Sequence, residues 1–242
     1  MPRYPFLMRK PHLPKGDQKL VQILDAALAD ATERSGDWLV CRSGCTQCCM
    51  GVFAISQLDA ARLQHGLAEL FRREPERAQA VRTRARDAVT RLLPGFPCDS
   101  HGGILPADEA ERMLEDIAID DPCPALDPAT GTCDLYDSRP ITCRAFGPPV
   151  RSEDGLGVCE RCYHGATDEQ IRACEMEVDP DDLESKLLKE MEAKGGPVGK
   201  TIVALALADE RLQFKHLHRD GGALSPPPSR RGTGPPQRSK GR

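Results

Sequence analysis

The chain has 242 residues, a formal net charge of −4, 39% hydrophobic residues and only 4% aromatic residues. This length accommodates one large domain or two small ones, and the composition is typical of a globular protein with a mainly aliphatic core. So small a net charge gives no reason to expect a strongly acidic or basic partner. The longest apolar run, Ile202 to Ala208, is far shorter than the roughly 20 residues that span a bilayer, so we expect no membrane segment.

The N-terminus has neither an apolar stretch of roughly 7–15 residues nor a small-residue cleavage site, so the sequence predicts a cytoplasmic protein. In the cytosol stable disulfides are uncommon, and clustered cysteines favour metal binding or catalysis. The eleven cysteines are also an odd number, and a pure disulfide framework would leave one thiol unpaired. We therefore favour metal binding over a redox disulfide and over structural disulfides.

The first elements in chain order are an arm and a helix. Residues 1–16 contain four prolines and predict an extended arm. Apolar residues at helical spacing then predict a helix that is capped by Asp17 and stops at Gly36. Ser56 and Asp59 form a start that resembles a capping box. Apolar periodicity predicts further helices over 57–74, 76–93, 107–118, 168–176, 182–193 and 198–216.

Arginine is dense between residues 72 and 91, at Arg72, Arg73, Arg77, Arg82, Arg84, Arg86 and Arg91. A nucleic-acid-binding surface is one interpretation of this density. Acidic residues are interleaved with the arginines, however, and aromatic residues that could stack on bases are almost absent. We therefore predict a solvated helix face and expect no nucleic-acid partner.

The strongest functional signal is a set of four cysteines within nine residues, at Cys41, Cys45, Cys48 and Cys49. Thiolates this close repel one another and oxidise easily unless they bind metal, pair as disulfides or do redox chemistry. The two-residue gap of Cys45-x-x-Cys48 recurs downstream, and it lets both sulfurs turn to one ion. Neither occurrence lies in a strand-then-helix unit, which argues against a thioredoxin-like redox pair. The candidate metal ligands are Cys41, Cys45, Cys48, Cys49, Cys123, Cys133, Cys143, Cys159 and Cys162.

The adjacency of Cys48 and Cys49 constrains the kind of centre. Neighbouring side chains point well apart in a helix or a strand, so two adjacent thiolates do not easily share one tetrahedral ion. The sequence therefore favours two metals or a multi-iron cluster over a single zinc-finger site, unless one of the two cysteines only packs.

A second cysteine segment carries a family resemblance. It reads Cys123-Pro-x-Leu, then Cys133-x-x-Tyr136-x-x-Arg139-Pro-x-x-Cys143-Arg-x-Phe. Together with the first cluster, this pattern resembles the YkgJ-type cysteine-cluster family, also called the CxxCxxCC family, over about residues 38–165. The resemblance implies a domain that chelates zinc or iron. One departure is that three residues, rather than two, separate the first two cysteines.

Several other residues of this region have candidate roles. Arg139 and Arg144 lie near a site that could hold several thiolates, where a cation would offset negative charge and lower thiol pKa values. A surface salt bridge is the alternative for Arg139, and Tyr136 is expected to pack. Weaker ligand candidates lie outside the family motifs, at Cys98, His164 and Cys174.

The sequence thus predicts a mostly α protein in which helices surround a cysteine-rich, metal-stapled loop region. We divide it into the arm over 1–16, a metal-binding domain over 17–219 and a disordered basic tail over 220–242. The predicted function is chelation of zinc or iron, or of an iron–sulfur cluster, in a structural, sensing or metal-handling role. The alternative is a cluster-dependent enzyme, either redox or similar to a protein lysine methyltransferase. We expect the first cysteine cluster and the thiols of 123–143 to meet at one site, because neither group alone offers four uncrowded ligands.

Truncation after Asp220 should leave the metal content and the melting temperature unchanged. The removed residues hold no cysteine or histidine, and they cannot bury enough apolar surface to offset the entropy of ordering. Elemental analysis and thermal unfolding of the full and truncated chains check this. Loss of metal, or precipitation of the truncated chain, would mean that the tail docks on the domain.

Overall fold

The computed structural model describes residues 13–42, 44–92, 96, 104–107, 109–114, 117–152 and 155–208. In these residues the helices are α1 Asp17–Ser35, α2 Gln57–Arg73, α3 Pro75–Leu92, α4 Ala110–Leu114, α5 Ile141–Ala145, α6 Asp168–Ala173, α7 Leu183–Ala193 and α8 Val203–Leu207. The strands are β1 Ala54–Ser56, β2 Leu126–Asp127, β3 Thr132–Cys133, β4 Val150–Ser152, β5 Gly155–Gly157 and β6 Lys200–Ile202. The predicted mostly α fold around a cysteine-rich region is confirmed. The predicted tail lies outside the described residues, as do residues 1–12 of the predicted arm.

The main hydrophobic core lies between α2, α3 and α8, where Leu67, Val81 and Leu207 are almost completely buried. Burial of one such side chain stabilises the fold by about 1.5–3 kcal/mol. The antiparallel pair β1–β6 adds to this core, and its register places Ile55 opposite Thr201. A second cluster joins α1, α5 and α7. The cysteine-rich segments therefore pack against two helical layers.

Local signals at the ends of the first two helices behave largely as predicted. The amide of Asp59 donates to the Ser56 side chain at 3.2 Å, so Ser56 caps α2. Gly36 ends α1 with a φ of +50°, a value that glycine adopts at little cost. Asp17 does not cap α1, because Gly16 occupies that position and the Asp17 carboxylate binds a buried guanidinium instead.

That guanidinium belongs to Arg62, which forms a buried ion-pair network. Its Nη2 lies 2.6 Å from Asp17 Oδ1, and its Nη1 lies 2.5 Å from Asp59 Oδ1. Asp59 Oδ1 also accepts the amide of Ile141, the first residue of α5, at 3.1 Å. One arginine therefore connects α1, α2 and the helix that carries Cys143. Buried charges of this kind are tolerated only when they are paired.

Two predicted helices differ from the structure. The helix predicted over 198–216 is wrong over 198–202, because Lys200–Ile202 forms β6 and pairs with β1. After β6, the predicted range contains the short helix α8, Val203–Leu207. Residues beyond 208 lie outside the described part of the chain. The helix predicted over 107–118 contracts to α4. Within the described residues, no helix is both long and apolar enough to cross a membrane.

The arginines of α3 bind the cysteine-rich region. Arg77 Nε and Arg84 Nη2 each lie 2.5 Å from a carboxylate oxygen of Asp134, whose side chain is only 1% exposed. Arg84 Nε also donates to the carbonyl oxygen of Pro124 at 2.9 Å, and Arg91 pairs with Asp121 at 3.1 Å. Arg77 and Arg91 are exposed, as the prediction of a solvated face expects, but with the half-buried Arg84 they also hold residues 121–134 against α3.

Replacing Arg62 with methionine should lower the free energy of unfolding by about 3–5 kcal/mol, because two buried carboxylates would lose their partner. Urea denaturation at matched metal content measures this. Arg72→Ala is the matched control, because Arg72 is exposed and, among the residues that the structure describes, pairs with Glu69 one helical turn away. We expect that control to change stability by about 0.5 kcal/mol or less. Equal effects of the two variants would contradict the role given to the network.

Candidate metal centre

Main-chain hydrogen bonds join two segments that lie about 75 residues apart in sequence. The amide of Cys123 donates to the carbonyl oxygen of Cys49 at 2.7 Å, and the amide of Gly51 donates to Asp121 at 2.9 Å. Gly51 has a φ of +82°, so glycine suits this crossing point. These bonds fix the backbone of the first cysteine loop, residues 44–51, beside the second cysteine segment, residues 121–143.

Six cysteines from the two segments line one cavity of about 80 Å³, here called the six-thiol cavity. They are Cys45, Cys48, Cys49, Cys123, Cys133 and Cys143. The cavity is also lined by Leu63 and Val203, which belong to the main hydrophobic core. The structure thus brings three of the four cysteines of the first cluster to one cavity with the three thiols of residues 123–143, and leaves Cys41 outside it.

The adjacent thiols of Cys48 and Cys49 converge instead of pointing apart. Both residues belong to the single-turn 3-10 helix Gln47–Cys49, and their Sγ atoms are 3.9 Å apart. In a tetrahedral zinc site with Zn–S bonds of about 2.3 Å, two sulfurs are about 3.8 Å apart. We expected adjacent cysteines not to share an ion easily, because neighbouring side chains point apart in an α-helix or a strand. The backbone of this 3-10 turn has neither geometry, and here the two sulfurs lie close together.

Interactions within this pair favour a thiolate at Cys48. The hydrogen bond from the Cys49 thiol, assisted by the positive charge of Arg139, lowers the pKa of Cys48 to about 6 against the effect of burial. The same hydrogen bond, together with burial, raises the pKa of Cys49. Metals bind the deprotonated form of sulfur, which is the form that this interaction favours at Cys48.

The second segment places its sulfurs where amides reach them. Burial raises the pKa of Cys123 to about 12, while hydrogen bonds from the amides of Ala125 and Leu126 act in the opposite direction. Burial likewise raises the pKa of Cys133, and the amide of Leu135 opposes it. Amide hydrogen bonds to sulfur stabilise the thiolate form and are found at iron–sulfur sites. A cation in the cavity would therefore remove the penalty of burial and leave the favourable amide bonds.

Arg139 lines the six-thiol cavity, whereas Arg144 is structural. Arg139 stacks over the ring of Tyr136 at 3.5 Å and donates from Nε to the Tyr136 carbonyl at 2.9 Å. In the part of the chain that the structure describes, Arg139 has no carboxylate partner, so the salt-bridge alternative is wrong there. Arg144 is buried, binds Asp25 at 2.7 Å and does not line the cavity.

The three remaining predicted ligands lie outside the six-thiol cavity. Cys159 and Cys162 are buried in a small cluster with Tyr163 and Cys174. Partial burial of its sulfur, followed by the effect of the Cys45 thiol, raises the pKa of Cys41 to about 11. The structure therefore divides the nine predicted ligands into six and three.

The weaker ligand candidates are not brought to the cavity. His164 is exposed and does not line it. Cys174 is buried and donates its thiol to the carbonyl oxygen of Arg34 at 3.4 Å. Cys98 lies outside the described residues. Sequence reasoning missed Arg42, which lines the cavity and precedes its first cysteine by three positions.

The donor set fits zinc or iron by its chemistry. Thiolates are the ligands that zinc sites and iron–sulfur clusters share, and the cavity volume accommodates an ion or a small cluster. In the described part of the chain, no three Cys, His, Asp or Glu side chains are already arranged to hold one ion. Binding would therefore draw the thiols inward around the metal.

Comparison with known proteins gives one match. A family model described as "CxxCxxCC: Putative zinc- or iron-chelating domain" matches residues 40–175. The match ends later than the resemblance found from the motifs, and so it includes Cys174. Searches of curated proteins and of solved structures found no significant match. Because the family model covers more than half of the 242 residues, the chain belongs to the CxxCxxCC family.

Proposed function

We propose that this protein binds zinc or iron in the six-thiol cavity and that the metal links the two cysteine segments. The observation that supports this is the presence of six thiols from distant segments in one cavity beside the hydrophobic core. Four thiolates satisfy one tetrahedral ion, and a larger set suits an iron–sulfur cluster or a second ion. The role is structural, sensing or metal handling. The proposed setting is the cytoplasm, where clustered cysteines favour metal binding over disulfides.

Metal binding and folding are coupled in this proposal. Leu63 and Val203 line the cavity and also pack in the main core. A movement of the thiols toward an ion would therefore also affect the packing of that core. Burial raises the pKa of Cys143 and Cys123, and these thiols remain protonated until a cation compensates the negative charge. The free energy of metal binding then contributes to the stability of the folded chain.

Anaerobic purification with elemental analysis and an absorption spectrum tests the proposal and identifies the metal. Stoichiometric zinc without visible absorption supports a zinc centre. Stoichiometric iron and a broad band near ~400 nm support an iron–sulfur centre. A folded chain that carries neither metal, and takes up neither after reduction, would contradict the proposal.

Cys48→Ser and Cys143→Ser should each lower the metal content and the melting temperature together. When the free metal concentration is 1,000 times the dissociation constant, metal binding stabilises the folded chain by about 4 kcal/mol. A substitution that abolishes binding removes that stabilisation. Cys174→Ser is the matched control, because a serine hydroxyl can donate to the same Arg34 carbonyl. Elemental analysis and thermal unfolding report both quantities. Equal metal loss in the Cys174 variant would overturn this ranking of ligands.

One observation favours an enzyme as the second candidate function. A second cavity of about 360 Å³, here called the apolar cleft, shares Cys48 and Cys143 with the six-thiol cavity. Its walls include Met50, Phe146 and Val158, which are apolar and exposed. Ligand pockets commonly have volumes of about 300–1,000 Å³ and mostly apolar walls. A metal with an open coordination position toward this cleft could act on a bound molecule, as catalytic metals do.

Exogenous ligands should distinguish an open centre from a closed one. If the centre is open toward the cleft, imidazole or cyanide should change the visible spectrum of the cobalt-loaded protein, because the ligand enters the free position. Val158→Trp should weaken that binding at least tenfold by filling the cleft. Val198→Trp is the control, because Val198 is also exposed but does not line the cleft. An unchanged spectrum in the wild-type protein would favour a closed, structural centre.

A further inference from the structure

The three candidate ligands outside the six-thiol cavity are brought together by the main chain. The amide of Cys162 donates to the Cys159 carbonyl at 2.9 Å and closes the turn between these cysteines. The amide of Tyr163 donates to the carbonyl oxygen of Trp38 at 2.9 Å. Since Trp38 lies three positions before Cys41, this bond places the turn beside Cys41 although more than 100 residues separate them in sequence.

The sulfur of Cys162 lies within reach of main-chain amides from a separate segment. Burial and the neighbouring Cys159 thiol raise the pKa of Cys162, while hydrogen bonds from the amides of Val40 and Cys41 act in the opposite direction. Such amide bonds stabilise a negative sulfur and tune metal–thiolate centres. A buried cysteine that served only as a packing residue would not need two amide donors from a separate segment.

Cys45 offers a fourth sulfur on this side of the molecule. It lines the six-thiol cavity and also a separate recess of about 230 Å³, together with Val40, Arg42 and Arg161. Among the neighbouring thiols, that of Cys45 has the largest effect on the pKa of Cys41, followed by those of Cys48, Cys162 and Cys159. Without Cys45, the six-thiol cavity still has five thiols, which is more than one tetrahedral ion requires.

Two arginines supply the charge that a four-thiolate centre needs. A divalent ion with four thiolates carries a net charge of about −2, which is costly to bury without cations nearby. Arg42 and Arg161 line the recess beside Cys45. Neither has a carboxylate partner within the residues that the structure describes. Their positive charges therefore remain available to a metal–thiolate centre.

We propose that Cys41, Cys45, Cys159 and Cys162 bind a second metal ion, separate from the metal of the six-thiol cavity. The inference shares thiolate chemistry with the proposed function, but it does not require the cavity to be occupied. The expected ligand set resembles a structural zinc site, because four sulfurs leave no open position. Its mechanical effect would be to fasten the turn at 159–162 to the chain that enters the first cysteine loop.

Metal stoichiometry of the full-length chain tests this proposal. Anaerobically purified Cys41→Ser and Cys162→Ser should each lose one equivalent of metal and retain the rest. Cys143→Ser should lose the metal of the six-thiol cavity and retain one equivalent. Cys41→Ser tests the site even if Cys162→Ser misfolds, because Cys41 is exposed whereas Cys162 is buried. Cys174→Ser, in the same hydrophobic cluster as Cys162, is the control and should retain all metal.

Cobalt titration gives a second readout. The wild-type chain should show two steps of thiolate-to-cobalt absorption, and Cys41→Ser should show one. Full metal in both Cys41→Ser and Cys162→Ser would overturn the second centre and leave the proposed function intact. Simultaneous loss of all metal from these variants and from Cys143→Ser would also overturn it, because the thiols would then serve one shared centre. A wild-type chain that binds no metal would contradict both proposals.

Discussion

The main-chain hydrogen bond from Cys123 to Cys49 determines which thiols can meet. It is one of a pair, with the bond from Gly51 to Asp121, and together they set two loops side by side without using any side chain. The sulfurs on both loops can therefore face a common cavity. If the loops were held by the metal alone, their closure entropy would have to be overcome in the binding step itself. The protein bonds reduce that cost before the metal arrives.

The cysteine-rich region is attached to the helical core by charge as well as by apolar contact. Asp134 follows the ligand candidate Cys133 and is enclosed by Arg77 and Arg84 of α3. Near the other end of the Cys133–Cys143 motif, the amide of Ile141, the first residue of α5, donates to Asp59. Asp59 belongs to the buried ion-pair network of Arg62. The part of the second segment from Cys133 to Cys143 is thus held near each of its ends by a buried carboxylate with arginine partners. Since buried pairs are rigid when all members are satisfied, both anchors limit how far the thiols can move.

Local signals made part of this structure predictable from sequence, and distant partners account for the rest. Ser56 and Gly36 act within one helical turn, so their capping and stopping roles are visible in a short window of residues. The sequence predicts helix at Lys200–Ile202, where the structure has a strand, because the partner of that strand lies near residue 55, far outside a short window. The ion pairs of α3 were missed for the same reason. The division of nine cysteines into six and three depends on which backbones cross, and spacing along the chain does not contain that information.

The pairing of β1 with β6 also orders events in time. Ile55 faces Thr201, and Val203, which follows directly, lines the six-thiol cavity. At about 5–20 residues per second, a ribosome takes roughly 7–30 s to travel from one strand to the other. During that interval the first cysteine loop is leaving the ribosome or has already left it. Val203, which forms part of the wall of the six-thiol cavity, has not yet been synthesised. Its thiols then meet oxidants and competing metals without the shelter of the core. The cavity therefore gains this wall only after the cysteines of both segments have been synthesised.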